Sequence, residues 1–159
     1  TSAQPTRPPS LAIVWGPPSG PAAPAAARAG RRASILVVDD SEVTRDVIAE
    51  VLRDAGYEVT EAVDGRQALE RIAAARPSLL VTDLQMPVMD GFALMRTVRE
   101  NPDWKDMPMI VVSTLGSEAD RTQAARAGAD AYVVKSDLRR AILLEAVSRF
   151  VRPAPRGTP

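Results

Sequence analysis

The sequence predicts an α/β fold in which five parallel strands form a doubly wound sheet with five helices. Two observations support this prediction. From residue 34 to residue 150, short apolar runs of strand length alternate with segments whose apolar residues recur at helical spacing. The connections between them are short, which favours right-handed crossovers, parallel strands and a sheet covered on both faces.

The first predicted strand is a continuous apolar run at residues 35–38, typical of a strand that is buried on both faces. It ends at Asp39 and Asp40, and Ser41 is a suitable cap for the next helix. Apolar residues then recur at helical spacing until Gly56, which supplies a C-terminal stop. This strand and helix form the first unit of the alternation.

The remaining elements follow in the same order. The strands are predicted at residues 57–62, 79–82, 109–112 and 131–134, and the helices at residues 65–75, 92–99, 118–127 and 139–150. Sheets of this type carry their sites beyond the carboxyl ends of the strands. The residues that follow the apolar runs are Asp39, Asp40, Asp83, Ser113, Thr114 and Lys135.

The flanking segments are predicted to lie outside the domain at residues 34–150. Residues 1–33 hold seven of the 14 prolines and many alanines, a composition typical of a flexible linker. An apolar patch at residues 11–15 interrupts this linker and is expected to be unstructured. Residues 151–159 are expected to form a disordered tail.

The composition restricts the possible chemistry. Because the chain has no Cys and no His, disulfides, the usual zinc ligands and His-assisted nucleophiles are excluded. Without the six arginines of the flanking segments, the domain has 14 basic and 20 acidic residues, which disfavours a nucleic-acid surface. No stretch approaches the roughly 20 apolar residues of a membrane span. A cytoplasmic location without membrane contact is therefore expected.

The acids at the ends of the first and third strands are expected to meet at one edge of the sheet. Three carboxylates there repel one another and are costly to bury unless a cation neutralises them. Oxygen ligands suit Mg²⁺, and Asp39 and Asp40 are placed to hold it. Asp83, beside the ion, is placed to attack a phosphorus centre and form an acyl phosphate.

Two other strand ends supply groups that suit a phosphorylated product. Lys135, the only Lys near the predicted site, would supply a counter-charge to the phosphoryl group. Ser113 offers a hydroxyl donor to a phosphoryl oxygen, so that phosphorylation would draw its loop inward. Each residue alone has an ordinary structural explanation, such as a solvated turn or a capped loop. Their joint occurrence at four strand ends favours a phosphoryl-accepting site.

These motifs resemble those of response-regulator receiver domains of two-component systems. The likeness lies in VVDDS at 37–41, VTDLQMPVMDG at 81–91, the pair Ser113-Thr114 and AGADAYVVK at 127–135, and covers about residues 34–150. It implies a flavodoxin-like receiver fold and phosphoryl transfer to Asp83, with Mg²⁺, from a histidine kinase, its phosphotransfer domain or a small phosphodonor. Such a domain is not a conventional enzyme, because it promotes only its own phosphorylation and dephosphorylation.

The resemblance also implies roles for individual residues. The metal would be held by Asp40, Asp83 and the backbone carbonyl of Gln85, with Asp39 acting directly or through water. Ser113 takes the position of the switch hydroxyl. The output face for a downstream signalling protein would be formed by the fourth predicted helix, the fifth strand and the fifth helix. Acting as a phosphate sink is the other implied output.

Three positions affect how the switch would work. Tyr132 falls where family members reorient an aromatic ring. Ser136 follows Lys135 where most receivers have proline, commonly after a cis bond; since a cis bond before serine costs roughly 3–4 kcal/mol, a trans bond with a shifted loop, or stored strain, is expected. Thr114 stands where many relatives have alanine, and its bulk is expected to slow hydrolysis of the acyl phosphate.

A closer likeness concerns the parent protein. STLGSEADR at 113–121 and VVKSD at 133–137 look like receivers fused to the C-terminus of chemotaxis-type hybrid histidine kinases, and the Pro/Ala-rich linker fits that arrangement. The parent polypeptide would then itself be a kinase.

Three other functions fit the residues less well than the receiver does. An aspartyl-phosphate phosphatase usually has a second acid two residues after its nucleophile, where this chain has Gln85. A phosphorylation-independent interaction module of the same fold has no need of the intact acids and Lys135. A dinucleotide-binding enzyme needs a Gly-rich turn after the first strand, where this chain has two acids.

Overall fold

The structure is a computed structural model of the chain that describes residues 12–14, as backbone, and residues 33–152. The described strands are β1 Ala12–Val14, β2 Ser34–Val38, β3 Glu58–Ala62, β4 Leu79–Thr82, β5 Met109–Ser113 and β6 Ala131–Val134. The described helices are α1 Glu42–Asp54, α2 Gly65–Ala74, α3 Gly91–Glu100, α4 Glu118–Ala127 and α5 Arg140–Ser148.

Five parallel strands, β2 to β6, form the sheet that the sequence predicts. The strand order is β1-β6-β5-β4-β2-β3, and every pairing among β2 to β6 is parallel. The observed ends lie within one or two residues of the predicted ones. The five parallel strands and five helices confirm the predicted fold class.

The core has two layers because helices cover both faces of the sheet. One cluster joins the sheet to the apolar faces of α2, α3 and α4, and the other joins it to α1 and α5. The central strands β4 and β5 are buried along their whole length. Burial on both faces explains why these strands are continuous apolar runs in the sequence.

Side-chain caps fix the helix starts at the carboxyl-terminal edge of the sheet. Ser41, Asp64 and Asp90 each accept a hydrogen bond from a backbone N–H of the first helical turn, at 3.3, 2.8 and 2.8 Å. Ser117 and Asp120 form a reciprocal capping box at α4. The loops that lead into these helices are thus held in place beside the strand ends.

One strand lies in the segment that was predicted to be a linker. β1 pairs antiparallel with β6, with Ile13 opposite Tyr132. The expectation that the apolar patch at residues 11–15 is unstructured is therefore wrong for residues 12–14. No local pattern indicated this pairing, because three apolar residues among prolines have no partner until the sheet exists. The rest of the predicted linker, residues 1–11 and 15–32, lies outside the described residues.

The domain also extends past its predicted end at residue 150. Val151 is 2% exposed, and its carbonyl accepts a 3.0 Å hydrogen bond from the hydroxyl of Tyr57. The predicted tail therefore starts one residue too early, and its remainder, residues 153–159, lies outside the described residues. Among the described helices, none is long and apolar enough to cross a membrane.

Candidate functional site

Three carboxylates and one ammonium group meet at the carboxyl-terminal edge of the sheet. Asp39 and Asp40 follow β2, Asp83 follows β4, and Lys135 follows β6. Oxygens of the three carboxylates lie within 4.8 Å of one another. Asp39 and Asp83 are buried, whereas Asp40 is exposed. The structure thus brings together four of the residues that the sequence singled out.

Backbone hydrogen bonds hold the two buried acids next to each other. The N–H of Asp83 donates to the carbonyl of Val38 at 2.9 Å, and the N–H of Asp39 donates to the carbonyl of Ala62 at 3.1 Å. Both acids therefore continue the parallel ladder by one residue beyond their strands. Their positions are set by strand pairing, which is the most rigid part of the fold.

Lys135 neutralises part of this charge. Its Nζ lies 2.9 Å from Asp39 Oδ2 and 3.1 Å from Asp83 Oδ2. Burial favours the neutral form of Lys135, but its close contact with Asp39 and the charges of both buried acids outweigh that effect and raise its pKa. Burial, in contrast, raises the pKa of Asp39 above its ordinary value, assisted by the charge of Asp83. The single positive charge of Lys135 does not neutralise three ionised carboxylates.

The other carboxylate oxygens are held by the backbone. Asp39 Oδ1 accepts from the N–H of Ser41 at 2.8 Å, and Asp83 Oδ1 accepts from the N–H of Leu84 at 2.7 Å. Asp39 Oδ2 is buried and makes no well-formed hydrogen bond within the described residues, although Lys135 is close. Asp39 Oδ2 is therefore the buried oxygen that an additional cation would satisfy.

The donor set fits a hard divalent cation. All three side chains offer carboxylate oxygens, and a buried oxygen without a proper hydrogen bond gains from coordination. The chain has no Cys thiolate and no His imidazole to favour a softer transition metal. Gln85 is exposed in the loop directly after Asp83, so a role for its backbone carbonyl stays a prediction.

The loop after Asp83 is tightly folded and strained. The N–H of Met89 donates to the carbonyl of Pro87 at 2.7 Å, which closes a three-residue turn around Val88, whose φ is 70°. This is an unfavourable conformation for a β-branched residue. The turn leads into Gly91, where an added Cβ would lie 2.1 Å from the carbonyl oxygen of Asp83. Only glycine permits this close return of the chain.

The switch residues form a chain of contacts beside the acids. Ser113 is fully buried, and its Oγ accepts a 3.1 Å hydrogen bond from the N–H of Leu115. The hydroxyl of Tyr132 donates to the carbonyl of Leu115, and its ring is 1% exposed. Burial raises the pKa of Tyr132. Thr114, between these groups, is exposed.

The Lys135–Ser136 peptide bond is trans, because no peptide bond within the described residues is cis. The chain instead forms a short 3-10 turn at Lys135–Asp137, closed by the N–H of Leu138. Of the two expected outcomes, a trans bond is the one observed. Without proline at residue 136, no restraint favours the cis form.

Two residues near the site escaped the sequence analysis. Leu115 links Ser113 to Tyr132 through its backbone N–H and carbonyl, which any residue other than proline would supply. Arg45 donates to the carbonyl of Asp39 at 2.9 Å and to Glu61 at 3.0 Å, so it braces the loop that carries the acids. No local pattern indicates these contacts, since the two partners of Arg45 come from separate elements.

Comparison with known proteins defines the family. Residues 35–148 match the response regulator receiver domain, and the chain belongs to that family. The gliding motility regulatory protein of Myxococcus xanthus is 37% identical over 124 residues, which cover 78% of this chain and 16% of that protein. Chemotaxis protein CheY1 of Helicobacter pylori is 41% identical over 103 residues, covering 64% of this chain and 83% of that protein.

The fold agrees with solved receiver structures. The chemotaxis response regulator CheY4 of Vibrio cholerae superposes with a TM-score of 0.69 at 36% sequence identity, covering 74% of this chain and 97% of that one. The match therefore includes nearly all of a CheY-type chain but a minor part of the much longer Myxococcus protein. The chain is thus a CheY-like receiver domain, of the kind found in two-component and chemotaxis-like signalling.

Proposed function

We propose that this domain accepts a phosphoryl group on Asp83 from a phosphohistidine and changes its protein contacts in response. The supporting observation is the position of Asp83, a buried carboxylate that shares Lys135 with Asp39 and has oxygens of Asp39 and Asp40 within 4.8 Å. Membership of the receiver family favours this over a phosphatase, as does Gln85 in place of a second acid.

Asp83 Oδ2 is the attacking atom in this proposal: it forms an O–P bond while the P–N bond of the donor phosphohistidine breaks and the imidazole leaves. Its partner oxygen, Oδ1, is fixed by the N–H of Leu84, and this leaves Oδ2 directed at Lys135. Once Asp83 carries the phosphoryl group, Lys135 pairs with a phosphoryl oxygen and keeps its contact with Asp39. Ser113 Oγ supplies a hydrogen bond to another phosphoryl oxygen, for which its loop must shift toward Asp83.

Asp39, Asp40 and Asp83, with the backbone carbonyl of Gln85, would hold Mg²⁺. The bound ion would neutralise charge on the acids and on the transferring phosphoryl group. The fit of the acids to a hard cation supports this assignment. Asp39 contributes directly or through water, and Arg45 keeps its backbone in place.

The partners that we propose are a histidine kinase, or its phosphotransfer domain, and a downstream signalling protein that contacts α4, β6 and α5. The cytoplasm is the proposed location, because both partners of such a relay act there. A parent hybrid histidine kinase is compatible with the Pro/Ala-rich segment and with the small share of the Myxococcus relative that the match covers. A domain acting as a phosphate sink would lack the downstream contact.

The test is phosphorylation by acetyl phosphate, read by intact-protein mass. We expect a single phosphoryl adduct on the wild-type chain that requires Mg²⁺ and disappears in Asp83→Asn. Asp106→Asn, which changes an exposed acid away from the site, serves as the matched control and should be phosphorylated normally. Failure of the wild-type chain to form an adduct, with acetyl phosphate and with a phosphorylated histidine kinase, would instead support the phosphorylation-independent interaction module.

A further inference from the structure

The outer edge of β6 is covered by a strand from the same chain. β1 pairs with β6 along Ala12–Val14, with Ala12 opposite Val133, Ile13 opposite Tyr132 and Val14 opposite Ala131. Without β1, β6 would be the edge of the sheet. Backbone N–H and C=O groups on that edge would then lack partners and would accept an extended segment by strand addition.

The two edges of the parallel sheet differ in character. The opposite edge strand, β3, alternates exposed and partly buried residues and carries Glu58 and Glu61, which discourage further pairing. β6 is instead apolar throughout, with Ala131, Tyr132 and Val133 buried. β6 thus has no charged residue that would discourage pairing of a further strand at its edge.

β1 is suited to bind this edge reversibly. It contributes three residues, so it forms few ladder bonds and gains little free energy from them. The sequence places 18 residues between it and Ala33, and a tether of this length gives an effective concentration on the order of millimolar. Pairing that is weak between separate molecules is then favourable within one chain.

The β1 pairing is connected to the phosphoacceptor site. Ile13 lies in register with Tyr132, the hydroxyl of Tyr132 donates to the carbonyl of Leu115, and the N–H of Leu115 donates to Ser113 Oγ. A shift of Ser113 toward a phosphoryl group on Asp83 moves Leu115. Tyr132 must then follow or lose its hydrogen bond, and Tyr132 is the residue of β6 that lies opposite Ile13.

We propose that the segment centred on Ile13 is an intramolecular ligand of the β6 edge, bound in the unphosphorylated domain and released when Asp83 is phosphorylated. This inference rests on the proposed function for its trigger. Release uncovers an apolar strand edge that accepts an extended segment of a signalling partner. Because coupling is reciprocal, loss of β1 pairing must also favour the phosphorylated state.

The first test disrupts β1 in the full chain. Adjacent residues of a strand point their N–H groups to opposite sides, so Ile13→Pro/Val14→Pro removes whichever N–H faces β6. We expect several-fold faster hydrogen exchange in a peptide spanning β6 than in wild type, by mass spectrometry. Ala25→Pro/Ala26→Pro, in the same Pro/Ala-rich segment, is the matched control and should exchange as wild type does. Equal β6 exchange in both double variants would overturn the pairing.

The second test adds Mg²⁺ and acetyl phosphate and measures adduct mass and β6 exchange on one sample. Phosphorylated wild type should lose β6 protection, whereas Asp83→Asn should not. At the same phosphodonor concentration, the Ile13→Pro/Val14→Pro variant should show a ratio of phosphorylated to unphosphorylated protein about fivefold higher than wild type, at the lower end of typical couplings. Adduct formation with unchanged β6 exchange would overturn the inference and leave the proposed function intact.

The remaining outcomes are also decisive. If no adduct forms on wild type, the proposed function fails, while exchange without phosphodonor still reports on β1 pairing. If β6 protection depends on protein concentration, and mass measurement under native conditions shows dimers, the occupant is β1 of a second copy. That result would overturn the intramolecular form of the proposal.

Discussion

Replacing Asp39 by Asn should stabilise the metal-free protein. Asp39 is 1% exposed, and burial with the neighbouring charge of Asp83 raises its pKa, so its ionised form is unfavourable in the fold. Asn has nearly the same shape, and its carbonyl oxygen keeps the acceptor position for the N–H of Ser41. Its amide NH2 then faces Lys135, whose ammonium keeps Asp83 as its partner. The substitution therefore removes the charge with little change in packing.

The expected magnitude follows from the distances. At an effective dielectric constant of about 20, two carboxylates within 4.8 Å of each other repel by at least about 3.5 kcal/mol, and an ammonium at 2.9 Å attracts by about 6 kcal/mol. Lys135 is shared with Asp83, the exposed Asp40 adds a screened repulsion, and burying the Asp39 charge costs several kcal/mol. We expect a net gain of about 1–3 kcal/mol in the free energy of unfolding.

Urea denaturation of both proteins in EDTA measures this gain. An m-value equal to that of wild type would show that the substitution does not alter the surface exposed on unfolding. The exposed Asp46→Asn on α1 is the matched control and should stay within about 0.5 kcal/mol of wild type. Millimolar Mg²⁺ should stabilise wild type more than the Asp39→Asn variant, because the ion loses a ligand. An Asp39→Asn variant that is less stable than wild type in EDTA would refute the charge argument.

Acidification provides a further check on the same residue. Because the pKa of Asp39 is raised in the fold, the folded state takes up its proton at a higher pH than the unfolded state does. Its contribution to the stability of wild type therefore increases as pH falls through the folded-state pKa. The difference in free energy of unfolding between the Asp39→Asn variant and wild type should therefore shrink as pH falls through the folded-state pKa of Asp39.

Three other substitutions test separate features. Val88→Gly should stabilise the domain by about 1 kcal/mol, because glycine adopts a positive φ without strain and Val88 is 75% exposed. The greater conformational entropy of glycine in the unfolded state offsets part of this gain. A loss of stability in urea denaturation would contradict the strain. Thr114→Ala should shorten the half-life of the phosphoryl group on Asp83, measured by intact mass after removal of the phosphodonor, and an unchanged half-life would refute the steric explanation. Tyr57→Phe should cost about 1 kcal/mol at neutral pH through its lost hydrogen bond to Val151. Because burial raises the pKa of Tyr57 to about 12 from 10, wild type should lose up to about 3 kcal/mol between pH 10 and 12 through this group, a loss that the Tyr57→Phe variant should not show.

The sequence alone determined the alternation of strands and helices and most of their limits. Strands buried on both faces must be continuous apolar runs, and helices must repeat at 3.6 residues, so both signals are local. The same reasoning found the acids after two strands and the lysine after a third. Parallel pairing brings such strand ends to one edge, so Asp39, Asp83 and Lys135 could be placed together before any distance was known.

The tertiary structure decided what depends on residues that are far apart in sequence. The sharing of Lys135 between Asp39 and Asp83, and the backbone bridge from Ser113 through Leu115 to Tyr132, arise from distances that no local pattern encodes. The position of β1 is the clearest case. Three apolar residues in a Pro/Ala-rich segment become a strand only because the exposed backbone of β6 supplies their hydrogen-bond partners.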